Sequence, residues 1–202
     1  WASVTNMTVN VVTDEGSANF IAHSLSDLAM TQMFGSNVLG AHETPEAAQF
    51  DGQVNGYFNY EGYSTPASGW GYDESGLAVG GWGFYTMLHE LGHGLGFSHP
   101  HSNEGGSNIM PGVSGDSDPG DNNLNQGVFS VMSYNAGWEV GQDPDGSGLA
   151  AYGYNVGLGA FDIALAQYYY GADTNFRNGN TTYTIPEAGG WLSIWDTGGT
   201  DT

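Results

Sequence analysis

Hydrophobic residues recur at strand or helix spacing in only a few segments of the chain, and polar stretches separate those segments. Apolar and β-branched residues predict short strands over 4–12, 19–23, 54–60, 181–185 and 191–195. Apolar residues near helical spacing predict helices over 26–34, 82–95 and 161–170. A glycine follows each predicted helix, as is typical of helix ends. This mixture of strands and helices predicts an α+β fold, with room for one full domain and the start of a second.

Long polar loops connect the predicted elements, most clearly over 61–81, 100–127 and 137–159. Glycine supplies 34 of the 202 residues, more than twice the average share of about 7%. So many glycines indicate many turns. A loop as long as 100–127 in a compact domain usually has a function or is tied down by other contacts.

The charge of the chain excludes several classes of partner. There are 22 acidic side chains, one arginine and no lysine, which gives a formal net charge of −21. Nothing here could neutralise phosphates, so we expect no nucleic-acid partner. The same charge opposes binding to anionic membranes, and no apolar run approaches the roughly 20 residues of a membrane helix. Cysteine is absent, so metal ions would have to replace disulfides as stabilising links in an exported protein.

One segment, HELGHGLGFSHP, carries the chemistry. On a helix, His89 and His93 are four residues apart and point to the same side, a spacing that suits zinc. Glu90 is then placed to receive a proton from a zinc-bound water. Gly96 can adopt a positive φ and turn the chain so that His99 becomes the third ligand. Three nitrogen ligands leave one position open for water, as in a catalytic zinc site.

The motif H-E-x-x-H-x-x-G-x-x-H, followed by a methionine turn, resembles that of the metzincin zinc endopeptidases. Pro100 after the third histidine and the downstream SVMSY segment are similar to the serralysin branch. The resemblance implies a metzincin-like α+β fold, with a mixed twisted sheet above the active-site helix and a loop-rich lower part. It implies that Met132 forms a packed floor under the ligands, and that Tyr134 is an extra zinc ligand that stabilises the oxyanion. It also implies that 54–60 is an edge strand that pairs with the substrate backbone.

The end of the chain resembles the first calcium site of the serralysin β-roll domain. Asp196 and Asp201 offer hard oxygen ligands among glycines, and such ligands suit calcium. By resemblance, the backbone carbonyls that complete the calcium shell are those of Arg177, Gly179, Thr181 and Gly198. The alternative is a glycine-rich hairpin with solvated aspartates. Two other acidic loops, 116–121 and 143–148, lack the full calcium-loop pattern, and we expect them to be solvated turns.

The resemblance therefore predicts a secreted, extracellular zinc endopeptidase, with a catalytic domain over 1–172 and the start of a calcium-binding segment over 173–202. Its expected cofactors are catalytic Zn²⁺ and structural Ca²⁺, and calcium would offset the self-repulsion of the acidic chain. Its expected partners are polypeptide substrates and a proteinaceous inhibitor, and the chain is expected to be a monomer. Glu90 would act as the general base. The remaining histidines receive no role in this interpretation: His23, His42 and His101.

Two other functions are compatible with the sequence. One is a non-catalytic, calcium-dependent binding or surface-layer domain that keeps zinc as a structural staple, although Glu90 argues against it. The other is a metzincin that trims one dedicated partner protein. The sequence also departs from the family, because most of the long first helix and the later nonapeptide repeats are missing. We therefore expect a trimmed fragment or a reduced relative.

Overall fold

The computed structural model describes residues 1–46, 49, 52–62, 77–135, 137, 154–184 and 190–202. Within these residues the strands form a three-stranded sheet with the order β1-β3-β2. The strands are β1 (Phe20–Leu25), β2 (Gly40–His42) and β3 (Val54–Asn59). β3 runs parallel to β1 and antiparallel to β2. The α+β class and the mixed sheet that the sequence predicted are therefore confirmed.

The helices agree with the sequence prediction to within two residues at each end. They are α1 (Asp27–Phe34), α2 (Trp82–Gly94) and α3 (Ala160–Tyr170). Ser26 caps α1, because its hydroxyl oxygen accepts a hydrogen bond from the Ala29 N–H at 3.3 Å. Gly35 ends the same helix with a φ of 95°. None of the helices in the described ranges is long and apolar enough to span a bilayer.

β3 is the central strand of the sheet, so the expectation that it forms the edge is wrong. Val54, Phe58 and Asn59 are buried, and the strand has hydrogen-bonded neighbours on both sides. Among the described residues the antiparallel edge strand is β2, which lies against α2. Sequence patterning missed β2, because three residues are too few to show an alternation of apolar and polar positions.

The main apolar cluster lies between α2, α3 and the segment that precedes Tyr134. Its buried members are Val4, Tyr85, Phe97, Val131, Met132, Leu158, Ile163 and Ala166. Gly159 is required where α3 begins, because a side chain there would overlap the backbone of Phe129. The cluster thus fixes α3 and the methionine turn against the helix that carries the first two histidines.

The strand predicted over 4–12 is wrong. Residues 2–4 form a 3₁₀ turn, and the following residues have no regular structure. Val9 and Val11 are 73% and 97% exposed, so their β-branched side chains bury little in the sheet or the core. The backbone instead meets the end of α3, where the Asn6 N–H donates to the Gly171 carbonyl at 3.0 Å. A strand needs a partner strand, and sequence patterning cannot show whether one is present.

The two predicted strands near the end of the chain are also not formed in the described residues. Tyr183 and Thr202 share one backbone hydrogen bond of 2.7 Å, and Trp191 makes only an isolated bridge with Asn155. Other predicted features lie wholly or partly outside the described residues. They are the loops 61–81 and 137–159 with the acidic turn 143–148, and the end of the strand 181–185.

Candidate metal centre

Helix α2 supplies the first two histidines of the centre. His89 and His93 lie one turn apart near its end, so both imidazoles leave the helix on the same side. His89 is buried and His93 is half-buried. Gly92 lies between them, and a side chain there would overlap the sulfur of Met132. The helix therefore accepts a residue of poor helix propensity in exchange for close packing under the histidines.

A tight turn after α2 brings the third histidine back to the first two. Gly96 has a φ of 91°, a conformation that glycine adopts without strain. Its N–H donates to the His93 carbonyl at 2.8 Å, and the Phe97 N–H donates to the Gly92 carbonyl at 3.0 Å. These bonds satisfy the last carbonyls of the helix and reverse the chain direction. His99 is then close enough to face the same point as the helical histidines.

The Nε2 atoms of the three histidines converge. The separations are 3.0 Å between His89 and His99, 3.0 Å between His93 and His99, and 3.2 Å between His89 and His93. Within the part of the chain that the structure describes, this is the only group of three or more histidine or carboxylate ligands that could hold one metal ion.

Backbone carbonyls determine which nitrogen of the helical histidines carries the proton. His89 Nδ1 lies 2.7 Å from the Val131 carbonyl oxygen, and His93 Nδ1 lies 2.8 Å from that of Phe97. A carbonyl oxygen only accepts, so each Nδ1 must carry the hydrogen and donate it. Each Nε2 then keeps a free lone pair that points at the other imidazoles. Imidazoles that bind metal ions are commonly held by such a second hydrogen bond.

All three imidazoles are neutral at neutral pH. Burial, with a smaller effect of the neighbouring His93, lowers the pKa of His89 to about 3. Burial and the same neighbour lower the pKa of His99 to about 3. The pKa of His93 is also lowered, again mainly by burial. Neutral imidazole is the form that binds a metal ion, so the centre needs no proton loss before binding.

The geometry and chemistry of this donor set fit zinc. Nitrogens about 2.0–2.1 Å from a tetrahedral zinc ion lie about 3.3–3.4 Å from each other. The observed separations of 3.0–3.2 Å therefore need only a small outward movement. Lone pairs at this distance repel unless a proton or a cation lies between them, and a divalent cation would remove the repulsion. Three protein nitrogens leave one tetrahedral position for water or substrate.

Glu90 lies next to the first histidine and faces β2. Its side chain is 7% exposed, and burial raises its pKa to about 8. A Cβ on Gly40 of β2 would lie 2.5 Å from Glu90 Cγ and 2.9 Å from its Oε1. The carboxyl group thus fills the space that a side chain on the edge strand would take. A cation held by the histidines would lower the pKa of this carboxyl group again.

Several known proteins align with this sequence over most of its length. Serralysin of Photorhabdus laumondii subsp. laumondii is 29% identical over 215 aligned positions, which cover all of this chain and 40% of that protein. Serralysin of Proteus mirabilis is 31% identical over 72% of this chain and 28% of that protein. Metallopeptidase AprA of Pseudomonas marginalis is 27% identical over 99% of this chain and 47% of that protein. No protein-family model matches the chain.

The chain is a serralysin relative. Two of these three alignments run over essentially its whole length, so the likeness extends beyond the histidine motif. The chain spans less than half the length of each of the three proteins. The names of the three describe serralysins and a metallopeptidase, in agreement with a histidine cluster that can hold a metal ion.

Tyr134 of this serralysin relative lies among three imidazoles. Its ring centroid is 4.6 Å from that of His99, 4.8 Å from that of His101 and 5.7 Å from that of His89. The side chain is 53% exposed. Partial burial, with a smaller effect of the Glu90 charge, raises the pKa of Tyr134. The phenol therefore keeps its proton at neutral pH. That Tyr134 is a zinc ligand stays a prediction.

Met132 lies where the sequence interpretation expected a packed floor. It is 3% exposed, and its sulfur lies against Gly92 of α2. Val131, the residue before it, is fully buried and belongs to the same apolar cluster. Any motion of this turn would therefore reach the helix between the two ligand histidines.

Asp162 of α3 holds that turn, a function that the sequence interpretation missed. Its carboxylate accepts hydrogen bonds from the Ser130 hydroxyl at 2.7 Å, the Val131 N–H at 2.8 Å and the Gly159 N–H at 2.7 Å. Burial nevertheless raises the pKa of Asp162 to about 6, against the effect of these bonds. Since the Val131 carbonyl accepts from His89, Asp162 is linked to the first histidine through one residue of backbone. The only signal in the sequence was an acidic residue at the start of an apolar helix.

The structure brings together the two segments that carry the predicted calcium ligands. The Thr197 hydroxyl donates to the Phe176 carbonyl at 2.9 Å, and the Thr200 N–H donates to the Asn180 side chain at 2.8 Å. Between these contacts Arg177 adopts a φ of 54°, a rare conformation for a residue with a side chain. Its guanidinium lies 5.0 Å from the centroid of the Phe176 ring.

The two aspartates of this region bind backbone groups nearby. The Asp196 carboxylate accepts from the Gly198 N–H at 2.8 Å and from the Tyr183 hydroxyl. The Asp201 carboxylate accepts from the Thr181 N–H at 2.9 Å. Carboxylate oxygens have further lone pairs, so these bonds are compatible with the hairpin alternative and with calcium. Calcium binding by these aspartates and by the carbonyls of Arg177, Gly179, Thr181 and Gly198 stays a prediction.

Proposed function

We propose that this chain contains the catalytic part of a secreted zinc endopeptidase of the serralysin type, with a metzincin domain over 1–172. The observation that carries the proposal is the convergence of three neutral Nε2 atoms within 3.2 Å of each other beside a buried glutamate. A structural zinc site needs no neighbouring base, whereas hydrolysis does. The names of the relatives support a metallopeptidase.

The chain's residues supply the proton transfers of peptide hydrolysis. When bound, zinc would lower the pKa of a water to about 7 and polarise the scissile carbonyl. Glu90 would take one proton from the attacking water at its carboxylate and return it to the leaving amine nitrogen. This requires an ionised carboxylate. Burial alone raises the pKa of Glu90 to about 8, so the positive charge of a zinc ion held by the neutral histidines would be needed to keep the carboxylate ionised.

Tyr134 would stabilise the negative charge that develops on the carbonyl oxygen. Its raised pKa keeps the phenol protonated, so it can donate a hydrogen bond at neutral pH. The ring is half exposed, and its centroid lies 4.6 Å from that of His99 and 5.7 Å from that of His89, which supports this role. Such a hydrogen bond increases the rate only if it is stronger in the transition state than in the bound substrate.

The substrate would be an extended polypeptide that adds to the edge of the sheet at β2. β2, rather than 54–60, is the antiparallel edge strand among the described residues, and this position supports a substrate-pairing role for β2. Gly40 of β2 adjoins Glu90, so a peptide paired with β2 would pass beside the base. Because such pairing uses backbone hydrogen bonds, peptides of many different sequences could be accepted.

The segment 173–202 would bind structural calcium through Asp196 and Asp201. Support comes from the closeness of the two ligand-bearing segments and from the unusual backbone of Arg177. The net charge of −21 gives a physical reason for a stabilising cation. Secretion, a monomeric state and a proteinaceous inhibitor are the other parts of this proposal.

Hydrolysis of an unfolded protein in calcium buffer tests the proposal. We expect cleavage that a zinc-selective chelator abolishes and added zinc restores. The matched variant is Glu90→Gln, which keeps the shape of the side chain but cannot accept the proton. It should bind zinc as the parent does and lose about 10²- to 10⁴-fold in kcat, the usual contribution of a general base. No cleavage by a folded, zinc-loaded chain would instead support the binding-domain or dedicated-partner functions.

A further inference from the structure

His101 lies inside the metal centre, although its position in the sequence suggested no role. Its ring is stacked on that of His99, with centroids 4.9 Å apart and an angle of 7° between the planes. The same ring lies 4.8 Å from that of Tyr134. His101 is therefore in contact with one predicted zinc ligand and with the predicted oxyanion donor.

His101 is not a fourth member of the ligand cluster. The group of side chains whose donor atoms lie within 4.8 Å of one another contains His89, His93 and His99 alone, among the described residues. In parallel stacked rings the ring faces meet, and the nitrogens of the outer ring do not point at the ion. A function other than metal ligation would have to account for an imidazole at this place.

The two nitrogens of His101 have different surroundings. Nδ1 is buried and has no hydrogen-bond partner, whereas Nε2 is not among the buried side-chain atoms that lack one in the described residues. A buried N–H without an acceptor is rarer in proteins than an unsatisfied acceptor. A proton on Nε2 leaves Nδ1 as the unsatisfied acceptor, and on this ground we assign the hydrogen of His101 to Nε2. This is the opposite tautomer to that of His89 and His93, whose Nδ1 atoms donate to carbonyls.

We propose that His101 is a substrate-binding residue that donates a hydrogen bond from Nε2–H to a backbone carbonyl oxygen of a bound peptide. The inference rests on the proposed function, because it assumes a polypeptide in the centre. Contacts with His99 and Tyr134 fix the ring, so the donor loses little freedom when the peptide binds. A peptide offers a carbonyl oxygen at every residue, so the contact adds affinity without demanding a particular side chain.

Peptide binding to the zinc-loaded Glu90→Gln protein tests the donor without cleavage. The probe is a short fluorescein-labelled peptide that contains a bond cut by the parent chain, and fluorescence anisotropy gives the Kd. His101→Phe keeps a stacked ring but removes the donor, and we expect it to weaken binding about five- to tenfold. His101→Gln returns an N–H at a similar reach and should recover part of the loss. His23→Phe is the matched control, since His23 also stacks on a tyrosine, Tyr57, in the sheet.

The tautomer provides a second measurement that does not depend on any activity. In ¹⁵N-resolved imidazole spectra of the zinc-loaded protein, His101 should carry its proton on Nε2, and His89 and His93 on Nδ1. A proton on His101 Nδ1 would overturn the proposal. So would a Kd for His101→Phe equal to that of the parent, or an equal loss in the Phe and Gln variants. Absent peptide binding by the zinc-loaded Glu90→Gln protein would overturn the inference alone, whereas a parent chain that cuts no peptide would overturn the proposed function together with the inference.

Discussion

The histidine centre and the acidic segment over 176–202 hold their polar groups in opposite ways. In the histidine centre, buried backbone carbonyls orient the rings of His89 and His93, and α3 supports the turn beneath them. In the acidic segment, Asp196 is half-buried and Asp201 is exposed, and their carboxylates bind backbone N–H groups of the same segment. Contacts with the protein core orient the polar groups of the first region, whereas hydrogen bonds within the segment 176–202 orient those of the second.

The difference indicates what each metal ion would contribute. A centre whose donors are already fixed gains little further order when zinc binds, so the ion mainly supplies chemistry. An exposed acidic segment in a chain of net charge −21 gains both order and charge neutralisation from calcium. Removal of zinc should therefore affect activity much more than stability, and removal of calcium should affect stability first.

Outside the candidate metal centre, the largest expected effect on stability comes from Asp162, which supports the turn beneath the histidines. Its pKa rises from an ordinary 3.8 to about 6, which corresponds to roughly 3 kcal/mol at about 1.36 kcal/mol per pKa unit. Because the folded-state pKa is the higher one, the folded state binds more protons between about pH 4 and pH 6. The stability that this group contributes therefore falls as the pH rises through that window. The difference in unfolding free energy between the parent and Asp162→Asn, measured by chemical denaturation from pH 4 to pH 7, should show this fall, because Glu90 and the histidines contribute to both proteins.

Asp118 provides a control with the opposite sign. Hydrogen bonds from the side chain of Ser114 and the backbone of Gly120 lower its pKa, so its contribution is lost as the pH falls. Asp118→Asn should therefore flatten the stability curve at low pH and leave the window between pH 4 and pH 6 almost unchanged. Identical pH dependence in the parent and in Asp162→Asn would show that the core tolerates the ionised carboxylate.

Calcium should produce the next largest effect, and it acts on the other region. At a free calcium concentration about 100 times the Kd, binding to the folded state alone adds about 2.7 kcal/mol. We expect calcium to raise the Tm of the parent at low salt, and the Asp196→Asn, Asp201→Asn double variant to lose that rise. Scanning calorimetry with and without a calcium chelator measures it. Zinc content should be equal in both proteins.

The acidic loop around Asp118 is the control for calcium. Its carboxylate accepts hydrogen bonds from Ser114 and Gly120 of the same exposed loop, as a solvated turn would. Asp118→Asn should keep the full response to calcium. If Asp118→Asn lost that response while the double variant kept it, the calcium site would lie in this loop.

The two regions also differ in how far the sequence predicted them. The histidine centre was predictable because helix periodicity places His89 and His93 on one face, and Gly96 marks the turn that returns His99. These are local rules that act over about ten residues. The structure brings the three residues together as those rules require. The helices were predictable for the same reason.

Interactions between distant segments were not predictable. β2 is defined only by its pairing with β3, and Val4 to Val12 look like a strand but pair with no strand in the part of the chain that the structure describes. Asp162 gains its function from a turn about 30 residues earlier in the chain, and His101 gains its place from a stack with His99. Such contacts depend on the tertiary fold, and sequence spacing carries no information about them.

The smallest expected effect comes from Gly40 of β2, which lies against Glu90, the proposed general base. An added Cβ would overlap Glu90 Cγ and Oε1, so Gly40→Ala should displace the carboxyl group by a few tenths of an ångström or more. We expect about a tenfold fall in kcat, because misplacement of a catalytic group weakens proton transfer. Gly115→Ala is the matched control, since nothing lies within 4 Å of the added atom.

Zinc content should not change in either variant, because the histidines are held by α2 and its turn rather than by β2. A loss of zinc in Gly40→Ala would show that β2 also positions the histidines. The hydrogen bonds of His89 and His93 to backbone carbonyls would then not be sufficient to hold the metal centre.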